Sequence, residues 1–130
     1  MYPIGTAARI SGLSAETIRF YERSGIVPQP RREANGRRVY SDGEIERLSF
    51  IRRCRELDFP IAVARALLAL SETGEGVCGE VYALASSHLE KTRERIAELQ
   101  SLEDKLEQML AHCHPEAKEC RALDGLRETC

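Results

Sequence analysis

Three observations in this 130-residue sequence predict a mainly α fold: a basic head of short helices with a hairpin wing, then one long helix. First, inward positions recur at alternating steps of three and four from Tyr82 through Ala85, Leu89, Thr92, Ile96, Leu99, Glu103, Leu106 and Leu110 to Cys113. No Gly or Pro interrupts that run between Gly79 and Pro115. Second, the residues before it alternate short helix-periodic segments with Gly, Pro and Asn-Gly punctuation. Third, charge is split: residues 1–60 carry 11 arginines against 8 acidic residues, and residues 61–130 carry 8 basic against 13 acidic residues. A basic first half and an acidic second half suit a polyanionic partner at one end of the molecule.

The length bounds the chain to one domain, or a small domain with an extension. A composition 42% hydrophobic and 31% charged is that of a soluble globular chain, and no apolar run reaches the eighteen or so residues a membrane span needs. The start, Met1 to Gly5, lacks a basic segment followed by an apolar stretch, so a cytoplasmic protein is expected. Five cysteines, an odd number in such a chain, argue for thiols, metal ligands or small buried hydrophobes over a disulfide framework. No His/Ser/Asp grouping and no Gly-rich phosphate loop is present, so no enzymatic activity is expected.

Within the head, residues 4–11 form a first short helix stopped by Gly12. Ser14 caps a second, from Ala15 to about Ser24, stopped by Gly25. With Ala7, Ile10, Leu13 and Ile18 turned inward, the pair makes a helix-turn-helix pattern. The second helix offers Thr17, Arg19, Tyr21 and Arg23, hydroxyls and guanidinium groups that phosphates and guanine edges accept. After the rigid link Pro28-Gln29-Pro30, Asn35-Gly36 signals a two-residue hairpin with Arg31, Arg32, Arg37 and Arg38 on its arms, a basic wing. Ser41 and Glu44 read as a capping box opening a third helix that runs to Leu57, with Cys54 buried beside Ile51, Leu57 and Phe59. Pro60 opens a fourth, Ile61 to about Leu70. Residues 71–77 read as a hinge.

At 1.5 Å per residue the long helix measures roughly 50 Å, too long for so small a chain to cover by itself. The simplest cover for its seam is the same helix from a second copy. In an antiparallel pair the Cys78 end of one helix lies beside the Cys113 end of the other. Glu103 departs from the seam, either fixing register or marking a drift onto Leu102. Beyond the helix, Pro115 makes the six residues between Cys113 and Cys120 a loop.

The string from Glu16 to Pro28, with Arg38-Val39-Tyr40 and the segment Phe50 to Phe59, resembles the MerR family of transcriptional regulators, and the likeness covers essentially the whole chain. The resemblance implies a winged helix-turn-helix DNA-binding domain over 1–70, a dimerisation helix over 78–112 in an antiparallel coiled coil, and a metal-binding loop and C-terminal segment over 113–130. It implies that Arg19 and Tyr21 contact operator DNA and that Arg37, Arg38 and Tyr40 hold its backbone. It also implies a homodimer that distorts promoter DNA on effector binding so that RNA polymerase can use the promoter. Cys113 and Cys120, with Cys78 donated by the other protomer, match the divalent-metal branch, most like the cadmium- and lead-responsive regulators, with mercury next and zinc also possible for a thiolate pocket. His112, His114 or Cys130 are additional ligand candidates beside a reading in which they take no part. Two other readings stay open: a copper(I) sensor, or a thiol redox switch in which Cys113 and Cys120 form a reversible disulfide. An iron–sulfur site lacks its four clustered cysteines, and a multidrug-binding regulator would need a further domain.

Overall fold

Caps and left-handed residues end the short helices of the first of two units, Met1–Leu84. The computed structural model describes residues 1–127. Helix α1 (Ile4–Ser11) stops at Gly12, whose φ of 79° is open to a residue without a Cβ and whose N–H donates to the Ala8 carbonyl at 2.9 Å. Arg52 Nε donates to the Ser11 carbonyl at 2.6 Å, satisfying another group at that helix end. Helix α2 (Ala15–Arg23) begins at Ser14, whose Oγ accepts from the Thr17 amide at 3.1 Å.

The wing is a three-stranded antiparallel sheet, β1 (Tyr2–Pro3), β2 (Arg31–Arg32) and β3 (Arg38–Tyr40), in the order β1-β3-β2. Tyr2 pairs with Tyr40 and Arg32 with Arg38. The first strand was not expected, because two residues ahead of a helix carry no alternation to read. The hairpin loop is also longer than Asn35-Gly36 alone. Glu33 N–H donates to the Arg37 carbonyl at 2.8 Å and Gly36 N–H to the Glu33 carbonyl at 2.9 Å, enclosing Ala34, Asn35 and Gly36. Only Gly36 of the three has a positive φ, 83°, so the turn is the three-residue kind with a left-handed glycine last.

Helix α3 (Asp42–Glu56) starts from Ser41, whose Oγ accepts from the Glu44 amide at 3.2 Å. It ends at Leu57, followed by Asp58 in the left-handed region. Helix α4 (Ile61–Thr73) runs past Leu70 into the segment expected as a hinge. Ile18, Leu48 and Ile51 are fully buried at the centre, surrounded by Ala7, Tyr21, Val27, Tyr40, Ile45, Cys54, Phe59, Ala64 and Leu68. Truncating Leu48 to Ala there would cost roughly 2–5 kcal/mol. Two expected core residues are exposed. The inward row of α1 is Ile4, Ala7, Ala8 and Ser11, at steps of three and four, which leaves Ile10 off it. Leu57, at the cap of α3, is exposed.

The second unit, Ala85–Cys130, holds most of α5 (Cys78–Ala111) and α6 (Arg121–Arg127). No residue of α5 is buried, and Tyr82, Leu89, Ile96, Leu99, Leu102, Leu106 and Leu110 all stand exposed. Among the described residues no helix is long and apolar enough to cross a membrane.

Candidate nucleic-acid interface and thiol pair

The inward row of α2 is Ile18, Tyr21 and Glu22. Glu22 is 3% exposed, and a carboxylate so buried needs partners for both oxygens. Arg38 Nε donates to Oε2 at 2.9 Å, and the Tyr40 hydroxyl donates to Oε1 in a short hydrogen bond. Gln29 Nε2 donates to the Glu22 carbonyl at 3.0 Å. Burial, then the hydrogen bond and the charge of Glu22, hold the Tyr40 phenol well above its ordinary range, with Arg38 and Arg19 pulling the other way. One buried acid thus ties the middle strand of the wing to α2.

Against that junction lies a concavity of about 330 Å³ lined by Pro3, Ile4, Arg19, Gly36, Arg37 and Arg38. Three arginines, one from α2, one from the hairpin loop and one from β3, line a single groove, an arrangement suited to a phosphate backbone. Thr17, on the same helix as Arg19, shares a 2.8 Å hydroxyl–hydroxyl hydrogen bond with Ser14.

Two residues expected at the DNA surface are instead core. Tyr21 is 7% exposed and Tyr40 is 2% exposed. Tyr21 falls three residues after Ile18 and so shares its inward row. Tyr40 sits on the central strand, with its hydroxyl engaged by Glu22. Steps of three and four from Ile18 reach Tyr21 and Glu22, so the sequence did carry a signal for the buried acid. The solvent face of α2 then belongs to Glu16, Phe20 and Arg23, with Arg19 beside them.

The thiols occupy three settings. Cys54 is buried in the head core, where desolvation raises its pKa. Cys78 is exposed at the first position of α5. Past the end of α5, a turn closed by Ala117 N–H donating to the His114 carbonyl at 3.0 Å carries Pro115 at its second position. The chain then reaches Cys120, just before α6. Cys113 and Cys120 meet: the Cys113 thiol donates a hydrogen bond to the Cys120 sulfur, and this bond, then the negative charge of a Cys120 thiolate, raises the Cys113 pKa. Cys113 is exposed and Cys120 half-buried, so both sulfurs can be reached. His112 and His114 are exposed beside them, and Cys130 lies outside the described residues. Among the described residues no three His, Cys, Asp or Glu side chains of one protomer converge. The pair can offer two soft thiolates to a metal or close to a disulfide.

A helix-turn-helix head whose wing and second helix share an arginine groove, joined to a long helix with an uncovered apolar seam, defines a DNA-binding regulator. The chain belongs to the MerR family: residues 2–71 match the model of the MerR HTH family regulatory protein, and residues 45–109 match that of MerR, DNA binding. This is a family of transcriptional regulators, not enzymes, and its members bind promoter DNA as dimers. The structure of the transcription regulator PbrR691 from Ralstonia metallidurans CH34 in complex with lead(II) is 36% identical, with a TM-score of 0.83 over 97% of this chain and 99% of that one. The mercuric resistance operon regulatory protein of Bacillus cereus is 34% identical over 96% of each chain. HiNmlR, a MerR family regulator lacking the sensor domain and solved bound to promoter DNA, is 25% identical, with a TM-score of 0.63 over 98% of this chain and 96% of that one.

Proposed function

We propose that this protein is a metal-responsive transcriptional regulator that acts as a homodimer. Cys113 and Cys120 of one protomer, with Cys78 of the partner subunit, hold a thiophilic divalent ion, Cd(II) or Pb(II) first and Hg(II) or Zn(II) next. The observation that carries this reading is the contact between Cys113 and Cys120 in an accessible loop. Cys78 and that loop stand at opposite ends of a 34-residue helix, a length of about 50 Å, so one protomer cannot close a three-thiolate site. An antiparallel partner supplies the missing thiol. The likeness to a lead(II)-complexed regulator and to a mercuric resistance regulator supports the choice of metals.

On the DNA side, Thr17, Arg19, Arg37 and Arg38 engage the operator, and Glu22 keeps wing and helix in one fixed arrangement. Bound metal adds a link between protomers, and any difference in its affinity for two DNA-bound states biases a promoter deformation costing a few kcal/mol. RNA polymerase reads the altered promoter.

The test titrates reduced, metal-free protein with Cd(II), Pb(II), Hg(II) and Zn(II) while thiolate-to-metal absorption is followed in wild type and Cys78→Ser. Tight binding that weakens when Cys78 is lost supports the three-thiolate site. The same Cys113–Cys120 contact favours a second reading, copper(I) or disulfide sensing by that pair alone. Unchanged binding in Cys78→Ser, or a reporter response to peroxide in chelated medium, would put this second reading ahead.

A further inference from the structure

The solvent face of α2 carries one large apolar side chain among charges. Phe20 is 52% exposed, with Glu16 one turn before it and Arg23 nearly one turn after it, both exposed. A single exposed phenylalanine needs no explanation by itself. This one touches the core at its edge: its ring meets that of buried Tyr21 at a centroid distance of 6.2 Å and an interplanar angle of 53°. The ring is therefore presented to solvent on a face it shares with Glu16, Arg19 and Arg23, two of whose three charges attract a polyanion.

In a helix-turn-helix module the second helix lies in the major groove, and Phe20 stands past the middle of α2 on its solvent face. A phenyl ring cannot hydrogen-bond to base edges. The apolar group the groove offers it is the C5 methyl of thymine. We propose that Phe20 is a specificity-determining residue that packs against a thymine methyl in each operator half-site. The proposal rests on the reading that this head binds operator DNA.

The experiment uses the full chain and a duplex that it selects from a randomised pool. Each thymine is replaced in turn by deoxyuridine, which removes only the methyl, and affinity is measured at one fixed salt concentration. One thymine per half-site should weaken wild-type binding about fourfold when demethylated, the factor that corresponds to about 0.8 kcal/mol for one buried methyl. Phe20→Ala, checked for an unchanged melting temperature, should bind the thymine and uracil forms equally. Wild-type protein indifferent to every uracil substitution overturns the proposal without any variant, and so does a Phe20→Ala protein that still discriminates. A wild-type chain that selects no duplex removes the operator-binding reading itself, a different result from selection without methyl sensitivity.

Discussion

Replacing Glu22 by Gln tests the junction between α2 and the wing with almost no change of shape. In the native head one carboxylate oxygen accepts from Arg38 Nε at 2.9 Å and the other from the Tyr40 hydroxyl. The glutamine carbonyl can keep the bond from Tyr40. Its amide cannot accept from Arg38, so a guanidinium loses its partner beside the core. A charge-assisted hydrogen bond contributes roughly 1.5–3 kcal/mol. The Arg38 side chain keeps 24% of its surface in water, which takes over part of the lost interaction. A net loss of about 2 kcal/mol follows, which for a unit of this size lowers the melting temperature by roughly 8–16 °C.

Calorimetry at a fixed protomer concentration reads that shift. Operator affinity, measured well below both melting temperatures, should fall as well, because Arg37 and Arg38 no longer keep their place relative to Arg19. A double-mutant cycle with Tyr40→Phe should show coupling above ~0.5 kcal/mol, since both residues act through one network. Melting within about 2 °C of wild type, against the ~4–8 °C expected per kcal/mol, would refute the assignment of Glu22 as the tie.

Gly12→Ala should destabilise the head more than Gly25→Ala. Both positions have positive φ, but a Cβ at Gly12 would also meet Arg52 Cδ and Nε at 2.7 Å while one at Gly25 meets nothing within 4 Å; equal melting shifts would contradict this. The folded-state pKa of Tyr40 lies above its ordinary value of 10.0, so its contribution is complete below that pH and is lost as pH climbs beyond it. In a phenolate absorbance titration Tyr40→Phe should remove the last-ionising tyrosine and flatten the alkaline loss of stability; an unchanged titration would disprove the assignment. Iodoacetamide at neutral pH should alkylate exposed Cys78 and Cys113 in native protein, and buried Cys54 only after unfolding. Peptide mapping that finds Cys54 modified as fast as Cys78 would count against its placement in the core.

What could be read along the chain was local. Ser14, Gly12, Ser41 and Pro60 each act on the few residues beside them, so helix ends came out close to their observed places. The Cys113–Cys120 loop is short and broken by Pro115, so its thiols meet through local geometry too. The partners of Glu22 are 16 and 18 residues away, on a strand whose position beside α2 no local pattern announces. The burial of Tyr21 and Tyr40 was hidden for a related reason: a tyrosine suits a DNA surface or a core with a hydrogen-bond partner, and only the packing around α2 and β3 decides how far it is buried. Asn35-Gly36 fits both two- and three-residue hairpins, and the Arg32–Arg38 register selects between them.

The seam of α5 leads to the last prediction. Its apolar residues form a narrow row on an otherwise charged helix, and one protomer covers none of them. Helices of this kind owe most of their stability to packing, so the row calls for a second helix. Ile96 lies near the midpoint of α5, which in an antiparallel pair brings it close to its own copy. Ile96→Asp would forfeit roughly 1.5–3 kcal/mol of burial per copy, and symmetry counts it twice, a rise of about a hundredfold or more in the dimer dissociation constant. Sedimentation equilibrium should show monomer at concentrations where wild type and Glu94→Ala remain dimeric. The consequence reaches the thiols: a protomer that has lost its partner keeps Cys113 and Cys120 but not the third donor, so Ile96→Asp should bind metal as weakly as Cys78→Ser. A variant that dissociates yet keeps wild-type metal affinity would show that the site needs only one protomer.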